Sequence, residues 1–395
     1  MIRLATLDIH SDDSSHGFIE HERNNNLSKD KKMKSTFIVA LIISHFAIIN
    51  GLMAEELKIT VKHPYEGINW ETINQYNFAH HVHARGQTYE NPYQLEIDRY
   101  LGGADKYHAL QFDDREAGKT PVWPWQHYDR FPQELGMYNI PGSEISVGGN
   151  HFVFLWSFYV RNPEEEGHAA IQASEDDAFI YLAHPVEGKN RDLGHYRQLL
   201  PFDWVEEYFA RHEKIRGLAV LNDYRAAYNK EDFELWHELL LHFGSERPVY
   251  AYSEADCSAG RGGCFDHRYD RVLAEEIPVV HPDTDYSSPG HESSFKNAWG
   301  NGQTFWINNQ GPGIPPHVRE ILVDDGVITL DIEGSYDEIK WMYGTDKIGT
   351  GKTFVVADNL ELAPDYVRFE IWQGHTTDAS IANIVGSQAF YIETE

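Results

Sequence analysis

The chain has 395 residues, 62 acidic against 33 basic, for a net charge of −29, with 41% hydrophobic and 13% aromatic side chains. This length and apolar content leave room for two ordinary domains with real cores and exclude a disordered chain. Such an acidic surface repels nucleic-acid phosphate and anionic membranes, so nucleic acid is excluded as a partner, while a small anionic substrate held by local arginines or a metal is not.

The first apolar run follows Met33-Lys34, centres on residues 37–43 and ends at Ala54 before Glu55-Glu56. A basic start, an apolar stretch and a small residue before an acidic one read as a secretory signal over residues 33–54. His45 and Asn50 interrupt the run and argue against a membrane anchor, so no stable membrane insertion is expected after cleavage. Residues 1–32 are polar and read as an over-called start. The expected location is periplasmic or secreted, where Cys257 and Cys264, the two cysteines of the chain, are placed to form a disulfide across a Gly-rich loop.

Short apolar strands follow at 107–112, 144–147, 151–155, 178–183, 217–222 and 248–252, with helical spacing over 204–212 and 232–243. Strands alternating with helices predict an α/β fold built on a parallel sheet, here over residues 55–298. From 299 to 395 the pattern changes to short alternating runs punctuated by Gly, Asp and Asn, which predicts a small antiparallel β-sandwich. The Gly349-Thr350-Gly351-Lys352-Thr353 segment ends like a phosphate loop, but a strand-like run follows it instead of a helix, so it is read as a hairpin turn.

Ionisable residues gather where the predicted strands end, which is where an αβ barrel places its active centre. His81 and His83 alternate in the HHVH segment and so share one strand face; Glu144, His151, His184 (in AHP) and Asp256 (in SEAD) lie at other strand ends. His80 and His108 are read as structural. Arg85 and Arg115 follow two strand ends and are placed to hold a carboxylate, sulfate or phosphate. The aromatic loop at 122–128 reads equally as a core lid or a sugar-stacking platform.

Together these motifs resemble the PHP (polymerase and histidinol phosphatase) family, in particular exported metallohydrolases with a β-rich tail, over roughly residues 75–265. The resemblance implies a distorted βα barrel at 55–298 followed by the sandwich at 299–395. It also implies divalent-metal ligands at His81, His83, Glu144, His184 and Asp256, with His151 beside them. Two positions depart from the family pattern. Asp113-Asp114 stands where Asp-His is usual, leaving Asp114 as the ligand, and Cys257-Ser258 replaces a His after Asp256. A three-metal centre is therefore not expected; a single ion of the zinc or manganese class fits better.

Three functions follow. One is metal-dependent hydrolysis of phosphate esters, amides or esters. Another is elimination of water or a sugar from acidic, uronate-containing oligosaccharides, in which a single cation or the pair Arg85 and Arg115 faces the carboxylate and a His (His81, His151 or His184) or a Tyr acts as base. The third is sugar binding without catalysis. The trimmed ligand set favours elimination, because proton abstraction beside a carboxylate needs fewer metals than phosphoryl hydrolysis.

Overall fold

The computed structural model describes residues 57–83, 97–98, 100, 107–113, 129–147, 150–159, 167–174, 176–185, 202–222, 230–256, 267–278 and 293–395. The signal segment, both cysteines, the aromatic loop, Arg85, Asp114 and Arg115 lie outside the described residues. Chain contacts place Lys58–Glu395 in one compact unit. Among the described residues, no helix is long and apolar enough to cross a membrane.

Two sheets position the site. The first contains β2 (Asn74–Val82), β3 (Ala109–Phe112) and β4 (Tyr138–Ile140), all parallel, and the second contains β5 (Gly142–Val147), β6 (Asn150–Leu155), β7 (Phe179–Ala183), β8 (Ile215–Asn222) and β9 (Tyr250–Glu254). Strands β7, β8 and β9 are parallel neighbours, while β6 runs antiparallel between β5 and β7. Their sequences, such as FIYLA and the LAVL of β8, are continuous apolar runs, as expected for strands buried on both faces. Helices α3 (Phe202–Arg211) and α4 (Lys230–Phe243) make the two crossovers. Val205, Tyr208 and Phe209 of α3 and Phe233, Trp236, Leu239 and Leu240 of α4 follow helical spacing and are buried against the sheet. The shorter helices are α1 (Pro132–Leu135), α2 (Gly167–Ala173) and α5 (Ser294–Gly300), the last capped by the Ser293 hydroxyl, which accepts from Lys296 N at 3.1 Å.

The expected βα barrel with a separate sandwich tail does not form. Strands dominate the described residues, and no sheet closes on itself. Strand β10 (Arg268–Ala274), not anticipated from the sequence, pairs antiparallel with β2 on one side and with β11 (Thr304–Asn309) on the other. It thereby continues the β2–β3–β4 sheet into the C-terminal strands β18 (Asn383–Gly386), β17 (Tyr366–Gln373) and β19 (Phe390–Thr394), with β1 (Ile59–Lys62) at the far edge. Strand β14 (Glu338–Tyr343) pairs with β17, and β15 (Asp346–Thr350) pairs with β14. A three-stranded sheet of β12 (His317–Asp324), β13 (Val327–Glu333) and β16 (Thr353–Val355) packs its Val318, Ile321, Ile328 and Leu330 into the same core as Tyr65, Val82 and Leu110.

The physical reason is burial: β11 and β17 are buried along nearly their whole length, not on one face as in an exposed tail sandwich. Trp306, Tyr366, Trp372 and Ile384 share a core with α4 and β8. The GTGKT segment is a turn, as expected, but not a hairpin. Strand β15 pairs with β14 and β16 with β13, so the turn at Gly351 (φ +98°) carries the chain between two sheets.

Candidate metal centre

The C-terminal ends of β2, β3, β7, β8 and β9 converge, joined by backbone bonds from Ala255 N to His80 O (3.1 Å) and from Glu144 N to Asp113 O (3.4 Å). Three of the residues brought together, His81 (φ +58°), His184 (φ +28°) and Asp256 (φ +36°), hold left-handed backbone, which non-glycine residues adopt at a cost. Strand alternation therefore does not explain the His81–His83 pair. The β2–β3 register shifts between Ala79 and Val82, His81 turns at positive φ, and its ring comes to 5.0 Å from that of His83.

His81 is fully buried and held from two sides. Its backbone N donates to Gln111 Oε1 (2.9 Å), and its Nδ1 lies 2.8 Å from Glu254 Oε2. A carboxylate accepting from Nδ1–H keeps that proton on Nδ1, so Nε2 is the nitrogen that faces inward and the one that can serve as a ligand when its own proton is displaced. Nε2 looks into a ring of oxygens: Glu144 Oε1 at 3.3 Å, Asp256 Oδ1 at 3.6 Å and Asp113 Oδ2 at 3.8 Å. Both His81 Nε2 and Asp113 Oδ2 are buried and lack a hydrogen-bond partner. Two buried, unsatisfied ligand-type atoms aimed at one point are costly unless something between them is bound.

Glu254 ties three strand ends together, because its Oε1 also accepts from His184 N (3.0 Å) and Asn222 Nδ2 (2.6 Å). Asn222 Nδ2 in turn lies 3.0 Å from Asp256 Oδ2. On the open side His83 Nε2 is 3.3 Å from Asp256 Oδ1 and 3.6 Å from Glu144 Oε2. His151 Nδ1 contacts Glu144 Oε1 and lies 3.3 Å from His184 Nε2.

Burial opposes charge on His81, but Asp256, Glu254, Glu144 and Asp113 outweigh it and raise its pKa well above the usual value. Burial likewise opposes the charge of Glu144, which the facing histidines nonetheless hold well below the carboxylate range. Asp113 goes the other way: burial pushes it up to about 7 despite His81 and His83. A cluster in which imidazoles and carboxylates shift one another this strongly is the environment of a cation site or of proton transfer.

Among the described residues, two groups have the ligand types and spacing to hold a metal ion: His81, Glu144 and His184, and His81, His83 and Asp256. The orphaned atoms and the mixed imidazole–carboxylate donors fit a divalent ion. Since Glu254 occupies Nδ1 of His81, both groups draw on the same Nε2, and one ion at a time can use it.

The structure thus assembles His81, His83, Glu144, His151, His184 and Asp256. Two contributors were missed from sequence. Asp113 points its carboxylate at His81, held by a short contact from Gln111 Nε2, while the expected ligand Asp114 lies outside the described residues. Glu254 precedes Asp256 by two residues in SEAD, and that spacing was the available signal. His80 is buried between the Tyr181 hydroxyl at Nδ1 (2.8 Å) and Asp270 at Nε2 (2.9 Å), and His108 accepts from Asn77 N at 3.1 Å. Compared with protein-family models and with curated proteins, the chain matches none.

Proposed function

We propose that the protein is a single-cation enzyme of acidic oligosaccharides, catalysing elimination beside a uronate carboxylate. The observation that carries this reading is that the two ligand groups share His81, whose Nδ1 faces Glu254, while His151 is in neither. That arrangement provides one ion and a separate imidazole for proton transfer, the minimum for abstracting a proton α to a carboxylate. When bound through His81 with either partner pair, an ion of the zinc or manganese class supplies positive charge against the substrate carboxylate and so acidifies the adjacent C–H. His151, oriented by Glu144, takes the proton from C5. The C–H electron pair becomes the C4=C5 double bond, the C4–O bond breaks, and the departing oxygen takes back the proton from the His151 imidazolium and leaves as water or a sugar hydroxyl. Arg85 and Arg115 are assigned to the carboxylate, and an exported location suits polymeric substrates.

A second reading, metal-dependent hydrolysis as in the resembled PHP family, is favoured by the carboxylates of Asp113, Glu144, Glu254 and Asp256 around His81. One experiment separates the two. The protein, with and without added Zn2+ or Mn2+, is given uronate oligosaccharides and, in parallel, a generic phosphate ester. Absorbance near ~235 nm follows conjugated product, and released phosphate is assayed. Rising, metal-dependent absorbance supports elimination. A flat trace with phosphate release replaces it by hydrolysis. His81→Ala abolishes either activity, and turnover that survives this change removes the site.

A further inference from the structure

At the other pole of the five-stranded sheet, the start of β7 and the loop from α3 into β8 surround a pocket of about 550 Å³. Arg216 lines it near the start of β8, whereas Asn222 of the metal centre ends that strand. Six residues of strand separate them, about 20 Å. Arg211, His212, Lys214, Phe179 and two acids, Asp176 and Glu213, also line the pocket. Most of its charges are committed. Arg211 pairs with Glu207 at 2.8 Å, and Lys214 Nζ donates to Ser174 O at 2.9 Å with Asp176 at 3.7 Å.

Arg216 differs. Its guanidinium stacks over the Phe179 ring at 5.1 Å, its Nε is buried without a hydrogen-bond partner, and among the described residues no acidic group pairs with it. A stacked guanidinium is pre-oriented, and with no acidic partner among the described residues its outer N–H donors are left for an acceptor in the pocket. Neither acid of the lining competes for Arg216: Asp176 faces Lys214, and Glu213 is exposed.

We propose that this pocket is a second binding site, for an oxyanion group (sulfate, phosphate or carboxylate) on a ligand up to sugar size. Arg216 grips the group through paired N–H donors, with Lys214 beside it. The volume exceeds a bare ion and admits an acidic monosaccharide. The site stands apart from the elimination chemistry and does not depend on it.

The test is calorimetric titration of the full chain, stripped of metal, with inorganic sulfate, inorganic phosphate and glucuronate, against chloride and glucose at matched ionic strength. One oxyanion binds at one per chain, at least tenfold more weakly in Arg216→Gln and unchanged in His81→Ala. Tighter binding of glucuronate identifies an acidic sugar; tighter binding of either inorganic ion identifies a free oxyanion. No binding above chloride, equal binding by Arg216→Gln, or loss in His81→Ala, which would put the anion at the metal centre, overturns the proposal. Should Arg216→Gln fail to fold, Lys214→Gln is judged by the same criteria.

Discussion

Glu254 decides which nitrogen of His81 faces the centre. Replacing it by Gln lets an amide N–H point at Nδ1, which favours the tautomer with its proton on Nε2 and closes the ligand position. Metal affinity of Glu254→Gln is expected to fall by roughly 10- to 100-fold, read by zinc titration, while the fold is kept. Unchanged affinity would mean that the Nδ1 contact does not set the tautomer. A second residue makes a separate pH prediction. Burial, with repulsion from Arg271, holds His317 down to about 4. Its imidazole is neutral in the folded chain and charges more readily once unfolded, so between pH ~6.5 and ~4 the unfolded state binds more protons. Stability from this group is complete above that window and lost as pH falls through it. The loss is about 1–2 kcal/mol after allowance for solvent screening at a partly exposed ring. Denaturant unfolding at pH 7 and pH 4.5 should show a smaller drop in His317→Gln than in the parent; equal drops would remove the assignment.

At the scale of elements, the β8–β9 pair is held close by Gly217, where an added Cβ would meet Tyr250 O at 2.0 Å, a backbone atom. Gly217→Ala therefore spreads the two strands whose far ends carry Asn222 and Glu254. It is expected to cost about 1–3 kcal/mol in urea unfolding and to weaken metal binding as well. A loss of stability with unaltered metal affinity would mean that the strand ends are positioned independently of the pair. Much of this level was legible in sequence. The strands at 178–183, 217–222 and 248–252 and the helices at 204–212 and 232–243 lie within a few residues of where β7, β8, β9, α3 and α4 form, because apolar runs and helical spacing are local. Pairing is not local. Nothing in RYDRVLA says that it bridges β2 and β11, since its arginines and aspartate are buried by partners distant in the chain. For the same reason His81, His83 and His184 could be picked out as strand-end histidines, whereas the left-handed turn that aims His81 could not.

For the whole molecule, the C-terminal strands share their core with the helices behind the candidate metal centre. Arg368 of β17 pairs with Glu370 at 2.6 Å, and its guanidinium stacks over Phe233 and Trp236 of α4 and over Trp306 of β11, all buried. Removing the charge in Arg368→Met strands the Glu370 carboxylate and is expected to cost about 3–5 kcal/mol. Unfolding of the native chain should be a single transition by both fluorescence and circular dichroism, since Lys58–Glu395 is one unit; two resolved transitions would separate the C-terminal strands from the rest. The left-handed backbone at His81, His184 and Asp256 has a further consequence. Glycine adopts that geometry at little cost, so an imidazole or a carboxylate at all three positions means that each ligand-type side chain is carried at a backbone cost that the rest of the fold offsets.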